Sequence, residues 1–117
     1  MKDSEVRIKA RELVIRVIRE CKNIDTRYGG SVLVNQIVRS ATSIGANIHE
    51  ANYAASRADF INKLQIALKE CYETEYWIDI LEATGNFSAD CKQELLQESG
   101  VIRRMLVKSI NTAKENS

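Results

Sequence analysis

Apolar residues recur along this chain at steps of three and four, the period of one face of a helix, and nowhere alternate as a strand would. The cleanest run is Phe60, Leu64, Ala67, Cys71, Thr74, Ile78 and Leu81, a heptad seam suited to packing near 20° against neighbours. Small residues at Ala67, Cys71 and Thr74 let another helix approach closely there. An earlier stretch repeats the spacing with Val6, Ala10, Leu13, Val17, Cys21 and Ile24. A later one does so with Cys91, Leu95, Ile102, Leu106 and Ala113, across Gly100, where a bend or fray is expected. The second stretch uses Leu33, Val34, Ile37, Ala41, Ile44, Ile48 and Ala51. Punctuation falls at Tyr28-Gly29-Gly30-Ser31, at Ala54-Ala55-Ser56 and at Thr84-Gly85-Asn86-Phe87-Ser88. Four helices are predicted, over 4–27, 31–54, 57–84 and 88–115. Ser56-Arg57-Ala58-Asp59 has the form of a capping box, and Ser88 with Asp90 offers a weaker start of the same kind. Matched helices joined by short turns predict an all-α, single-domain, antiparallel up-down-up-down four-helix bundle.

Composition supports this. Proline is absent from the 117 residues, which leaves the helices uninterrupted. Hydrophobic residues at 44% and charged residues at 28% are the values of a folded domain, not of a disordered tail. No uncharged stretch is long and apolar enough to span a bilayer, and no basic segment leading into an apolar one opens the chain, so neither membrane insertion nor secretion is expected. Three widely spaced cysteines exclude a disulfide scaffold and fit a reducing cytoplasm.

Two features exceed the needs of a lone bundle. Ile8 and Ile15 project nearly opposite the core face of the first helix, a small apolar stripe available for an oligomer contact. The second helix carries only Arg39 and Glu50 as formal charges, too few for a flank facing water, so a second copy is expected to cover it. Charge is distributed unevenly: +3 over residues 1–28, zero over 29–55, −3 over 56–86 and +1 over 87–117, for a net +1. Helices one and three lie on a diagonal of the bundle, so their opposite charges meet more easily between copies than within one. A head-to-tail ring would use them; two solvated faces would leave them idle.

The stretch Arg39-Ser40-Ala41-Thr42-Ser43-Ile44-Gly45-Ala46-Asn47-Ile48-His49-Glu50-Ala51 resembles the signature of a small bacterial family of four-helix bundle proteins, also named for genes within intervening sequences of 23S rRNA genes. The likeness continues through Ser56-Arg57-Ala58-Asp59-Phe60 and Ala67-Leu68-Lys69-Glu70-Cys71-Tyr72-Glu73-Thr74-Glu75-Tyr76-Trp77. The resemblance implies a left-handed bundle assembled as a homopentamer, with no assigned activity. Accessory proteins of diversity-generating retroelements are similar in fold, and they bind nucleic acid and a reverse transcriptase through basic surfaces.

Arg39, Ser43, Asn47 and Glu50 share one flank of the second helix, and Glu70, Glu73 and Trp77 share a flank of the third. These flanks can meet, with Arg39 pairing to Glu73 or Glu70 and Asn47 satisfying backbone or carboxylate groups. The outcome is either a polar network fixing helix register or a recognition site at a groove or interface.

Catalytic constellations are not found. A di-iron bundle needs Glu-x-x-His pairs, yet the single histidine, His49, has Ala46 three residues before it. Glu70 and Glu73 have no nitrogen ligand beside them, and the cysteines lie on apolar stripes. The Gly29-Gly30-Ser31 turn lacks the lysine of a phosphate loop. A non-enzymatic protein without cofactor or metal is therefore expected. Nucleic acid is the partner with residue-level support: Lys2, Lys9, Arg16 and Arg27 are predicted to fall on one side of the first helix, and Arg103, Arg104 and Lys108 add a second basic group. The expected role is binding of RNA or DNA, or of a nucleic-acid-handling protein. The alternatives are a purely structural protein scaffold, and an enzyme with its site between chains.

Overall fold

Ser56 shows how local chemistry sets the elements. Its backbone is extended, and its hydroxyl accepts the Asp59 amide at 3.1 Å, starting a helix that runs to Ala83. The Asp59 carboxylate reaches back to the Ala55 amide at 3.1 Å, closing the capping box one residue earlier than its usual form. Ser88 caps the following helix in the same way, accepting the Cys91 amide at 3.0 Å. The computed structural model describes residues 3–116. Its helices are α1 (Asp3–Cys21), α2 (Gly30–Ala51), α3 (Arg57–Ala83) and α4 (Ala89–Glu115).

α1 packs on α2 and α4, and α3 packs on the same two, so α1 and α3 stand diagonally opposed. Cross-helix contacts run in opposite senses along each pair. Arg39 meets Glu70 while Glu50 meets Lys63, and Arg16 meets Glu98 while Glu20 meets Cys91. Glu75 meets Arg103 while Glu82 meets Lys92. Neighbours are therefore antiparallel, and the chain is an all-α four-helix bundle about 48 Å long and 23 × 19 Å across.

The core is the set of stripes read from the period. Val6, Ala10, Leu13, Val17, Cys21 and Ile24 are buried, as are Leu64, Ala67, Cys71, Thr74, Ile78 and Leu81. On α2 the buried row is Ile37, Ala41, Ile44, Ile48 and Ala51, joined by Ser40, while Leu33 and Val34 are only half-buried. On α4, Ser99, Gly100, Ser109 and Ile110 join the expected residues, and Ala113 is half-buried.

Three expectations are corrected. α1 ends at Cys21 rather than at 27. The Asp25 carboxylate captures the Arg27 amide at 2.9 Å, and Tyr28 and Gly29 adopt positive φ of 51° and 87°, both incompatible with a continuing helix. Ile24 stays in the core because a turn, its amide bonded to the Cys21 carbonyl at 3.2 Å, folds it onto the same side. α2 stops at Ala51 rather than 54: the amides of Asn52, Tyr53 and Ala54 tighten onto carbonyls three residues back, the usual finish of a last turn. Gly100 does not fray α4, which is continuous through it. The glycine is buried, and the Arg103 and Arg104 side chains lie over it, so that an added β-carbon would sit 3.3 Å from Arg104 Nη1.

Candidate functional site

The signature residues of α2 and α3 converge on Arg39. Its guanidinium meets Glu70 Oε2 at 3.3 Å and also pairs with Glu73, while its Nε meets Gln36 Oε1 at 3.4 Å. Trp77 Nε1 donates to Glu73 Oε2 at 3.2 Å, and the Trp77 ring meets Tyr76 edge-on at 5.0 Å between centroids. Beneath them, Thr74 Oγ1 lies 2.9 Å from Ser40 Oγ, in the interior where both are fully buried. Ser40 donates onward to the Ile37 carbonyl at 3.2 Å, and Thr74 Oγ1 lies 2.8 Å from the Glu70 carbonyl. The remaining signature residues do not join. Asn47 Nδ2 donates within its own helix, to the Ser43 carbonyl at 2.8 Å and the Ser43 hydroxyl at 3.1 Å. Glu50 pairs with Lys63 at 3.1 Å.

The basic residues expected on the first helix are dispersed. Lys2 lies outside the described residues. Arg16 sits among three carboxylates, Glu94 at 2.8 Å, Glu20 at 3.2 Å and Glu98 at 3.4 Å, and the bonds to Glu94 and then Glu20 raise its pKa further. Burial pushes the Glu98 carboxyl up despite that guanidinium. Arg27 belongs to the α1–α2 connection and is bound to Asp25 at 2.8 Å, because α1 has already ended. Lys9 lines the cleft between α1 and α4 with Gln97, Val101 and two carboxylates, Glu12 and Glu98. Gln97, Val101, Arg104 and Lys108 follow one stripe of α4 at steps of four, three and four, and the last two are exposed. Arg103 instead meets Glu75 at 3.0 Å and covers the Tyr72 ring at 5.3 Å.

The flank of α2 that is poor in charge opens on a groove of about 580 Å³ between α1 and α2. Its walls are Ile8, Ala10 and Val14 from α1 and Gly45 and Ala46 from α2. Arg7, Arg11 and His49 stand around it, all exposed. Ile8 is 56% exposed there, whereas Ile15 is half-buried and is not among the lining residues. Sequence reasoning missed Arg7 and Arg11. Their spacing of four was visible, but only the seating of α1 on α2 places them beside an apolar groove.

All three cysteines are free and buried. Loss of solvent pushes Cys71 up to about 12 and Cys21 and Cys91 up to about 11, so none supplies a thiolate near neutral pH. Among the described residues no three of His, Cys, Asp and Glu gather as a metal site, and no helix is long and apolar enough to cross a membrane.

Comparison with known proteins places this arrangement. A crystal structure of a protein of unknown function from the S23 ribosomal protein family of Bacteroides thetaiotaomicron is 42% identical. The match covers 95% of this chain and 99% of that one, with a TM-score of 0.86. No curated protein matches the chain. Residues 2–108 match the family described as 23S rRNA-intervening sequence protein, and the chain belongs to it.

Proposed function

We propose that this protein acts by binding rather than by catalysis, as a cytoplasmic homo-oligomer, a pentamer as the resemblance implies, that engages nucleic acid or a nucleic-acid-handling protein. The observation that carries the reading is the groove on the charge-poor flank of α2: an apolar hollow of about 580 Å³ beside arginines that none of the described carboxylates neutralises. A lone bundle gains nothing from exposing it, and a sister copy would shelter it. Assembly multiplies whatever basic surface remains outside the contact, so a few phosphate contacts per chain become avid and salt-sensitive. Within one chain that surface is Arg104 with Lys108, bordered by Lys9 in its cleft with Glu12 and Glu98, rather than Arg16 and Arg27, whose charges are already engaged.

Light scattering tests the assembly, and a monomer at micromolar concentration rejects it. Filter binding of mixed RNA and DNA across a salt series tests the partner class. Affinity is expected to fall steeply with salt, and to weaken at least tenfold when Lys9, Arg104 and Lys108 are all changed to Glu, with the assembled mass unchanged. A wild-type oligomer that binds neither nucleic acid even at low salt supports the second reading, a structural scaffold for other proteins, which the near-neutral net charge favours.

A further inference from the structure

The apolar groove between α1 and α2 and the exposed outer edge of α3 have complementary chemistry. The groove exposes Ile8 and is flanked by Arg7 and Arg11, and among the described residues no carboxylate pairs with either arginine. The α3 edge exposes Tyr72 (54%) and Tyr76 (57%), one helical turn apart. Carboxylates are in excess beside them: Glu70 and Glu73 share the single guanidinium of Arg39, and Asp79 and Glu82 share the single ammonium of Lys92. Arg103, over the Tyr72 ring, pairs with Glu75, and with the exposed Lys69 counted the edge keeps one negative charge over.

We infer that the groove of one copy receives the Tyr72–Tyr76 edge of α3 from a second copy. This rests on the self-assembly proposed above and assigns its contact surfaces. A tyrosine pair offers a large apolar body with a polar tip, suited to a hollow that is apolar within and cationic at its rim. The carboxylates of α3 then approach Arg7 and Arg11, which steers and orients the encounter. Two grooves facing each other would instead bring four arginines together. Because α1 and α3 are diagonal, each copy can offer its groove to one neighbour and its edge to another. The contact is heterologous, and repetition of it gives a ring where the rotation between copies closes and an open filament where it does not.

The test uses Ala46→Arg, which places a cation in the groove, and Tyr76→Arg, which places one on the edge. Both sites are exposed and helical, so circular dichroism and melting should match the wild type. Each variant alone is expected to run as a single chain in size-exclusion chromatography with light scattering. Mixed one to one, they should form a dimer and nothing larger, since the intact edge of the first meets the intact groove of the second. Variants that keep the wild-type mass, or a mixture that stays monomeric, overturn the assignment. So does loss of assembly by Ala46→Arg with Tyr76→Arg unaffected, the mark of grooves paired with each other. A monomeric wild type rejects self-assembly itself and is distinguishable from all of these. Should either variant unfold, the paired charge reversals Arg7→Glu with Arg11→Glu, and Asp79→Lys with Glu82→Lys, apply the same mixing test.

Discussion

Thr74 is the polar member of the α3 seam, and its burial works because Ser40 stands opposite. Each hydroxyl also reaches a carbonyl of its own helix, Ile37 for Ser40 and Glu70 for Thr74, so removing one costs the cross-helix bond and leaves the other a local acceptor. Thr74→Val alone is therefore expected to lower unfolding free energy by about 0.5–1.5 kcal/mol, the worth of the one cross-helix bond, and Ser40→Ala in that background does not lose the same bond twice. Urea denaturation of the four members of this cycle gives the coupling, and two independent, additive losses would refute it. The spacing of Thr74 along the seam was legible from sequence, as was the meeting of Arg39 with Glu70 and Glu73. The Ser40 partnership was not. Ser40 adjoins Ala41 on the α2 stripe, and a buried serine has no signature until the helix opposite it is placed. Asn47 misled for a related reason: its own helix offers the Ser43 carbonyl one turn away, and a local acceptor competes well with a distant one.

At the scale of elements, ends decide more than interiors. Ser56 and Ser88 were readable as caps because the chemistry spans four adjacent residues. Ser56→Ala should cost about 1 kcal/mol, seen as a lower thermal midpoint. The α1–α2 connection is less forgiving. A β-carbon on Gly30 would overlap the Asp25 carbonyl oxygen, which is backbone and cannot swing aside, whereas Gly29 has open space around it and only its φ of 87° to defend. Gly30→Ala is expected to lower the melting temperature clearly more than Gly29→Ala, and equal effects would show that the turn adjusts freely. The early stop of α1 was hidden because Ile24 sits three residues after Cys21. A turn and a helix deliver that position to the same side, so the apolar period carries no warning.

For the whole molecule, three thiols tie stability to pH. Unfolded, they ionise near 9.0; folded, Cys21 and Cys91 hold their protons to about 11 and Cys71 to about 12. The unfolded chain thus binds fewer protons between these values, and stability falls as pH rises from about 9 toward 12. Below 9 their contribution is fully present. Cys71→Ala should flatten this alkaline decline, on the order of 1 kcal/mol per pH unit for one proton, though it also lowers stability at neutral pH by emptying core volume. Urea midpoints at pH 8, 9 and 10 for both chains check it; parallel declines would show that Cys71 does not titrate in this way.

The sequence by itself determined the four helices, their apolar faces and two of their caps. All of these follow from local periods and short-range chemistry that a chain carries whatever it later packs against. Only the tertiary structure decided which charges are spent. Arg16 is surrounded by acids of α4, 78 and 82 residues away, and Arg27 is held by a loop carboxylate, while Arg7 and Arg11 are left beside an apolar groove. Formal charge is countable from composition, but whether a cation is neutralised depends on partners brought within about 4 Å by folding, and between exposed groups salt screens what lies beyond about 10 Å.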